Sequence, residues 1–491
     1  MSGNDSQPLS VERDPALLGS NFTLIGRFQG WYYMIPHSTK SAHYSSEIGA
    51  GHPTRYTAIL SHQHHRSKTT LKMEGDSESS KPFASGKKII VAGAGIAGLS
   101  FVVALRKQWL SQSPTLTPPT IAIYERDPKN FGVEREGYSI SIRSDGNAAG
   151  LQALSKLNLL ETALAQSITG VQEDPGSFGL WDKDWSGILR IKLKTPGSLP
   201  VPGMRIARNV LRKILIESVS VGDEIHWGTT CVGAVKLESG RIEVRLSNGK
   251  TDECDLLIAA DGSKSKIRST FRPEDKLNFA GAVAIGGVSR FKDKVPPPVN
   301  RDWGFYLSGT GYGLFASPVD EHSAVWSLSY LAKEPREFAK QPLSTEQADL
   351  ILKEARECGK DMAEPFQTLV NATDISTLMI LNTLDKQPFP HLTGSLEDMP
   401  VVFIGDANHA VSPFAGAGAN LALMDGWELA EQLCKCGTLT EALASYDALN
   451  LPRAKSVVRF SHWAIAFAHF TGWKLTLCIW AAKIINRLLF R

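Results

Sequence analysis

The segment from Lys87 onward constrains the fold most, because it predicts a strand, a tight turn and a helix in immediate succession. It reads KKIIVAGAGIAGLSFVVALRKQ, an apolar run followed by glycines and then by a second apolar stretch. Gly93, Gly95 and Gly98 have the spacing G-x-G-x-x-G. In this spacing the first glycine permits the turn, the second lets a pyrophosphate approach the backbone, and the third lets helix and strand pack closely. The segment therefore predicts the start of a dinucleotide-binding fold.

A second apolar strand completes a βαβ unit and ends at Glu125. A carboxylate at this position can accept hydrogen bonds from both hydroxyls of a dinucleotide ribose. The step from Gly98 to Glu125 is longer than the usual offset of about 20 residues. The Pro-, Ser- and Thr-rich loop 111–119 accounts for the extra length. A glycine turn that serves packing alone is the alternative, and the strand–helix–strand context favours dinucleotide binding.

Two further motifs follow apolar strands. Asp261 begins an Asp-Gly pair with Arg268 shortly after it, and Asp406 ends a Gly-Asp pair that continues through His409 to the stretch PFAGAGAN at 413–420. Alone, an Asp-Gly pair is most often a β-turn, and a Gly-Asp pair can simply cap a helix. His409 could act as a general base, but a structural role within its loop is the favoured interpretation.

The N-terminal part differs in composition from the rest of the 491 residues. Residues 1–86 hold six of the twelve histidines and many Ser, Thr and Gly residues, without a sustained helical or strand period. We predict a disordered or poorly structured extension here. The histidines at 62–65 could bind a metal, but a solvated polar segment is favoured, and no metal site is expected. The formal charge of +3 gives no global field for nucleic acid, so no nucleic-acid partner is expected.

A second sheet is predicted over residues 280–332, which alternate as strands rich in glycine and aromatic residues. The glycine and aromatic content favours contact with a flat, largely apolar molecule. Only half of the aromatic side chains on a strand point to a given face, so a packing role stays open for each. The candidate lining residues are Tyr306, Tyr312, Phe315, Trp326 and Tyr330.

The C-terminal segment is apolar and aromatic but is interrupted by charged residues. A membrane-spanning helix needs about 20 mostly apolar residues, whereas the longest stretch here without a charge runs only from 475 to 482. We therefore predict a buried or interfacial apolar helix over 461–491 rather than a membrane span.

The three motifs in this order resemble the class A flavoprotein monooxygenases, the family of FAD-dependent aromatic hydroxylases. The resemblance covers roughly residues 87–450. The stretch PFAGAGAN and the segments 146–160 and 208–211 are similar to the tetracycline-inactivating and fungal natural-product members of the family.

The resemblance implies an α/β fold. A Rossmann-like FAD-binding domain has three layers, two of β-sheet and one of α-helices. It is interleaved with a mixed-sheet substrate domain within residues 87–460, and a C-terminal helix follows. The expected boundaries are about 87–165, 205–275 and 395–450 for the FAD-binding domain, and about 166–204 and 276–394 for the substrate domain.

The resemblance also implies roles for individual residues. The catalytic residue is left unassigned, with Arg208 and His409 as candidates. In the implied cofactor site, the three glycines of the first turn hold the ADP moiety and Glu125 binds the adenosine ribose. Gly137 and Arg208 contact the FAD, and Asp261 lies near both the FAD and the path of the nicotinamide nucleotide. Asp406 binds the ribityl or pyrophosphate region, and Gly416, Gly418 and Ala419 lie under the pyrimidine end of the flavin ring.

The function implied is an FAD-dependent monooxygenase that consumes NADPH or NADH as a transient co-substrate. It would hydroxylate an apolar or aromatic small molecule of secondary metabolism through a flavin C4a-hydroperoxide. Two alternatives stay open: a membrane-associated epoxidase of a prenylated metabolite, and a non-catalytic escort protein with the FAD fold. A cytoplasmic location is expected, with a peripheral membrane contact through the C-terminal helix left open.

Overall fold

The chain divides into two units, residues 1–79 and residues 80–491. In the first unit the described residues form an antiparallel pair of strands, β1 (Phe22–Phe28) and β2 (Trp31–Pro36). The sequence predicts little regular structure there, but the aromatic and β-branched residues of these short runs favour strands. The histidines at 62–65 lie outside the described residues. Within the second unit, the computed structural model describes residues 81–129, 138–144, 149–168, 177–191, 197–337 and 342–489.

A five-stranded parallel sheet forms the centre of the first domain of the second unit. Its apolar strands alternate between two cores: Ile89 and Val91 face a helical layer, whereas Ile90 and Ala92 face a small second sheet. This gives the predicted three layers. The strand order is β19 (Val401–Phe403), β13 (Leu256–Ala259), β3 (Lys88–Ala92), β4 (Thr120–Glu125) and β9 (Glu224–Trp227), and the second sheet contains β10 (Cys231–Lys236), β11 (Ile242–Leu246) and β12 (Thr251–Cys254).

Two long helices dominate the helical layer, α1 (Ile96–Gln112) and α9 (Gly418–Lys435). They approach so closely that a Cβ atom on Gly426 would lie 2.5 Å from the backbone nitrogen of Phe101. The short elements around them are α2 (Gly150–Lys156), α3 (Leu160–Ala165), α4 (Arg208–Glu217), α5 (Lys266–Phe271), α8 (Asp406–His409) and the antiparallel pair β5 (Ser139–Arg143) and β8 (Gly203–Ala207).

A seven-stranded mixed sheet forms the second domain. One face packs against α6 (Thr345–Cys358) and α7 (Phe366–Asn371). The structure thus confirms the predicted α/β fold, with a parallel-sheet domain interleaved with a mixed-sheet domain. The strand order is β18 (Met379–Asp385), β14 (Asn278–Arg290), β17 (Ser323–Leu331), β16 (Tyr312–Pro318), β15 (Trp303–Leu307), β6 (Phe178–Trp181) and β7 (Gly187–Ile191).

Two helices, rather than one, form the C-terminal part: α10 (Leu439–Ala468) and α11 (Gly472–Leu489). The sequence predicts one helix over 461–491. The structure instead breaks the segment before Gly472, whose φ of +54° is unfavourable for other residue types. None of the helices in the described part of the chain is long and apolar enough to cross a membrane.

Candidate active site

Four sequence motifs meet at one edge of the parallel sheet. Gly93 follows β3, Glu125 ends β4, Asp261 follows β13 and Asp406 follows β19. These strands are parallel neighbours, so their carboxyl ends lie at the same edge. Open α/β sheets bind their ligands at this edge. Motifs that are up to 313 residues apart in sequence thus contribute to one candidate site.

The glycines of the first turn have three different surroundings. Gly93 has a φ of +106°, and a Cβ atom there would lie 2.5 Å from the carbonyl oxygen of Ala260. A Cβ on Gly98 would lie 2.1 Å from the Gly93 oxygen. By contrast, a Cβ on Gly95 would meet no described atom within 4 Å. Gly95 precedes the first turn of α1, so the open space lies beside N–H groups that have no intrahelical acceptor. The turn therefore fits a phosphate group.

Glu125 is buried and holds the glycine turn in place. Its Oε2 accepts a hydrogen bond from the Ala94 N–H at 2.7 Å, and its Oε1 accepts one from the Asp127 N–H at 2.9 Å. The Arg212 guanidinium lies 3.3 Å from Oε2 and donates from Nε to the Ala94 carbonyl oxygen at 2.8 Å. Arg212, which the sequence analysis missed, therefore fixes both the carboxylate and the turn.

The Asp261 side chain caps α5. Its Oδ2 accepts hydrogen bonds from the N–H groups of Lys266 at 2.8 Å and Ile267 at 3.2 Å. Its Oδ1 is buried and has no hydrogen-bond partner among the described residues. Burial raises the pKa of this carboxyl. Asp261 thus shapes the loop after β13.

Arg268 joins the Asp-Gly loop to the Gly-Asp loop. Its guanidinium donates to the carbonyl oxygens of Ser263 at 2.5 Å and Ala407 at 2.9 Å. The two loops come from different parts of the chain, so this side chain fixes their relative position at the site.

Asp406 lies exposed at the edge of the sheet, on the first turn of α8. Protein surrounds the carboxyl on its remaining sides, and this desolvation raises its pKa, while His409 and Arg208 act in the opposite direction. Burial and the nearby Asp406 charge raise the pKa of Tyr138 to about 12. Asp406, Arg208 and Tyr138 therefore share one polar region, which suits the hydroxyls or phosphates of a cofactor.

His409 is buried beneath Asp406 and is bound to Asp425. Its Nε2 lies 2.8 Å from Oδ2 of Asp425, which also accepts the Gly405 N–H at 2.8 Å. Burial lowers the pKa of His409, but the charge and hydrogen bond of Asp425 outweigh this effect and raise it. Asn450 donates to the other carboxylate oxygen at 2.5 Å. These contacts support the favoured structural role for His409.

The stretch PFAGAGAN leads into α9. Gly416 has a φ of +55°, and Gly418 is the first residue of the helix. The buried Asn420 side chain accepts the Arg143 N–H at 2.8 Å and donates to the Ser141 carbonyl oxygen at 2.8 Å. The loop is therefore fixed to β5, and the first N–H groups of α9, including that of Ala419, point out of the helix start. This arrangement can stabilise negative charge on a bound ring.

One face of the mixed sheet carries aromatic side chains and lies against this loop. Phe305 stacks against Phe414 of the PFAGAGAN stretch, with ring centroids 5.8 Å apart, and meets the Phe315 ring edge-to-face at 5.4 Å. The Arg205 guanidinium lies 5.9 Å from the Phe315 ring centroid. Arg205 is buried, and among the described residues no carboxylate pairs with it, so burial lowers its pKa to about 9.

Three of the five candidate lining residues, Tyr306, Tyr312 and Trp326, lie on the other face of that sheet, with Tyr330 beside them. Trp326 is fully buried and donates to the Thr373 hydroxyl at 2.9 Å. Tyr306 is buried and donates to the Lys183 carbonyl oxygen. Tyr312 is half-buried and packs with the same core beneath α6 and α7. These contacts give the three residues a packing role, because alternate residues of a strand face opposite sides. Gly137 lies outside the described residues.

Comparison with known proteins identifies the family. A profile described as an FAD binding domain matches residues 190–461, which is more than half of the chain. The monooxygenase cfoF of Aspergillus candidus is 39% identical over 398 residues, covering 79% of this chain and 93% of cfoF. The chain belongs to the FAD-dependent monooxygenases. FAD is its cofactor, and the predicted family is confirmed.

More distant relatives agree with this membership. The chloroplastic zeaxanthin epoxidase of Spinacia oleracea is 28% identical over 357 residues, covering 71% of this chain and 48% of that protein. Klebsiella pneumoniae HpxO, solved with FAD and uric acid, aligns with a TM-score of 0.63 at 20% identity, over 82% of this chain and 94% of HpxO. The tetracycline destructase Tet(51) aligns with a TM-score of 0.56 at 18% identity, over 82% of this chain and 98% of Tet(51). At these identities the solved structures show the shared fold.

Proposed function

We propose that this monooxygenase consumes NADPH or NADH and hydroxylates an apolar or aromatic small molecule, as part of secondary metabolism. The stacking of Phe305 on Phe414 is the observation that carries the proposal. It brings an aromatic face of the mixed sheet against the glycine-rich loop assigned to the flavin ring. A flat organic substrate could bind beside this contact, against the same aromatic face.

The residues of the sheet edge would hold the cofactor. The Gly95 space and the start of α1 suit the pyrophosphate, Arg208 and Asp406 suit the polar chain between the phosphates and the ring, and the start of α9 suits the ring itself. When bound and reduced by the nicotinamide nucleotide, FAD would supply the activation of dioxygen, of which one oxygen atom would go to the substrate and the other to water. The protein's part is to position the two partners and to keep water away from them.

Arg205 would orient the substrate. Its guanidinium has no carboxylate partner among the described residues and lies beside Phe315. Hydrogen bonds to the Ser141 hydroxyl at 2.7 Å and to the Ser139 carbonyl oxygen at 2.9 Å fix its position. A cation in this setting favours a substrate with an electron-rich ring or an oxygen that carries partial negative charge.

A membrane-associated epoxidase is the second candidate. The similarity to zeaxanthin epoxidase favours it, because that relative aligns with 71% of this chain. The product distinguishes the two: both add one oxygen atom, but an epoxide forms at a carbon–carbon double bond and opens to a diol in acid.

The test uses FAD-loaded enzyme with NADPH or NADH and a panel of aromatic and terpenoid compounds. We expect substrate-dependent consumption of the reduced nucleotide and a product heavier by one oxygen atom. No oxygenated product, together with nucleotide oxidation that no panel compound accelerates, would contradict the substrate class proposed.

Two matched variants test which face of the sheet binds the substrate. Phe315→Leu should raise KM about tenfold, because it removes an aromatic surface from the cofactor side. Tyr312→Phe, on the opposite face of the same strand, should leave KM unchanged. The reverse pattern would assign the substrate to the α6–α7 side.

A further inference from the structure

The C-terminal helix α11 has two unlike faces. Its inner face consists of half-buried side chains and packs on the turn between β15 and β16, where a Cβ atom on Gly309 would lie 3.2 Å from Leu475. Its outer face carries Trp473, Leu477 and Trp480, which are 72%, 55% and 63% exposed. Their spacing of i, i+4 and i+7 places them on one side of the helix. Water-exposed tryptophans in a row are costly, so this face fits a partner.

Lysines border the outer apolar face on both sides. Lys474 and Lys483 are exposed and, by helical periodicity, lie on opposite flanks of the row formed by Trp473, Leu477 and Trp480. Long lysine side chains can place their methylene groups along an apolar surface and their charge in a polar layer. An apolar row with a lysine on each flank is typical of a helix that lies in the plane of a membrane surface.

The charge of the C-terminal segment identifies the kind of partner. The last acidic residue of the chain is Asp447, and seven basic residues follow it. Of these, Arg453 pairs with Glu428 inside the protein at 2.5 Å. The whole chain carries only +3, so this segment is strongly basic and the remainder is net negative. A second copy of the same surface would repel it, whereas a layer of anionic headgroups would attract it.

Aromatic rings extend the apolar surface along α10. The centroids of Phe460 and Trp463 are 5.7 Å apart, those of Trp463 and Phe467 are 5.1 Å apart, and those of Phe467 and Phe470 are 6.0 Å apart. The row ends two residues before α11 begins. Trp463 is 47% exposed, so part of this row also contacts solvent. Indole rings favour the boundary between headgroups and acyl chains.

We propose that α11 binds peripherally to an anionic lipid bilayer, with Trp473, Leu477 and Trp480 at the boundary of the acyl chains and Lys474 and Lys483 among the headgroups. The helix lies in the surface and does not span it. Because its inner face packs on the mixed sheet, binding would bring the substrate domain next to the membrane. A lipid-soluble substrate could then reach the enzyme from the bilayer, a consequence that rests on the proposed function.

The test measures sedimentation of the full FAD-loaded chain with vesicles of phosphatidylcholine alone, or with about one quarter phosphatidylserine. We expect binding to the anionic vesicles that weakens as salt is raised, and much weaker binding to phosphatidylcholine. The double variant Lys474→Gln/Lys483→Gln should reduce partitioning by about thirtyfold. Trp473→Ser/Trp480→Ser should reduce it at least as much, with the flavin absorbance and melting temperature retained because both side chains are exposed.

The control is Leu110→Ser/Leu350→Ser, which removes two exposed apolar side chains elsewhere and should bind vesicles as the wild type does. A folded wild-type enzyme that stays in the supernatant with both vesicle types would overturn the proposal. A tryptophan variant that binds normally, or one that only converts a dimer to a monomer, would also overturn it. Sedimentation needs no turnover, so vesicle binding without oxygenation would remove the proposed function and leave the membrane proposal intact.

Discussion

His409 shows how the buried surroundings of a residue decide its role. His409 lies three residues after Asp406, and the sequence alone allows it to be either a general base or a structural partner within its loop. The structure binds it to Asp425, a carboxylate on α9 that also accepts the Gly405 N–H. Asp425 was not predicted, because no motif connects a mid-helix aspartate to a loop 16 residues upstream. The pair holds the loop that exposes Asp406.

The His409–Asp425 pair predicts a pH-dependent stability. The pKa of His409 is raised above 6.5 in the folded state, so its contribution is complete below about pH 6.5 and is lost as the pH rises through the folded-state value. His409→Asn should therefore lower the free energy of unfolding by about 2 kcal/mol near pH 6 and by less near pH 9. Urea unfolding of FAD-free protein at both pH values measures this. An equal cost at both would show that the histidine is not charged in the folded protein.

Gly95 offers a test of the pyrophosphate position. A side chain there meets no described atom, so Gly95→Val should fold like the wild type while filling the space beside the start of α1. We expect the dissociation constant for FAD to rise at least about tenfold. Gly222→Val, at another open glycine far from the sheet edge, is the matched control. Fluorescence titration with FAD would contradict the assignment if both variants bound equally well.

At the level of elements, the site depends on how closely α1 and α9 pack. α1 begins at the glycine turn and α9 begins at the PFAGAGAN stretch, so the contact between them sets the distance between two parts of the proposed cofactor site. Ser100 supports the contact by donating its hydroxyl to the Leu423 carbonyl oxygen at 2.9 Å. The helix after the glycine turn was predicted from its apolar pattern, but its contact with α9 could not be, because the sequence shows no pairing signal between the two segments.

Gly426→Ala tests this contact. The added methyl group would lie 2.5 Å from the backbone nitrogen of Phe101 and 2.6 Å from the Ser100 hydroxyl oxygen, so the helices must separate. We expect a loss of about 2 kcal/mol in the free energy of unfolding and weaker FAD binding. Gly222→Ala, where the methyl group meets no described atom, should be near neutral. Urea unfolding that gave the same midpoint for both variants would show that the contact is loose.

For the whole molecule, the arrangement of motifs on the parallel sheet was predictable, whereas the faces of the mixed sheet were not. The glycine turn, Glu125 and the Gly-Asp pair each follow a strand, so local sequence places them at one edge of a parallel sheet. The mixed sheet offers no such rule. Phe305 and Tyr306 are neighbours on β15, both aromatic, yet only Phe305 faces the cofactor side. The side chosen depends on which face α6 and α7 cover, and that is set by the tertiary fold.

The long-range partners were also beyond sequence reasoning. Arg212 lies on α4 and contacts Glu125 across 87 residues of sequence. An arginine in an amphipathic helix normally indicates a solvent-exposed face, and nothing in its neighbourhood marks it as buried. Arg205 is a similar case. The sequence shows only a charged residue on a short strand, and the structure is needed to show that its side chain is buried.

Titration of FAD-free protein with FAD tests whether the loops that follow four strands form one cofactor site. Wild type should bind one FAD per chain. Asp406→Ala should bind at least about tenfold more weakly, because it removes the exposed carboxylate of the site, whereas the control Asp349→Ala on α6 should match the wild type. A wild-type protein that gains no flavin spectrum, or an Asp406→Ala variant that binds FAD as tightly as Asp349→Ala, would contradict the account.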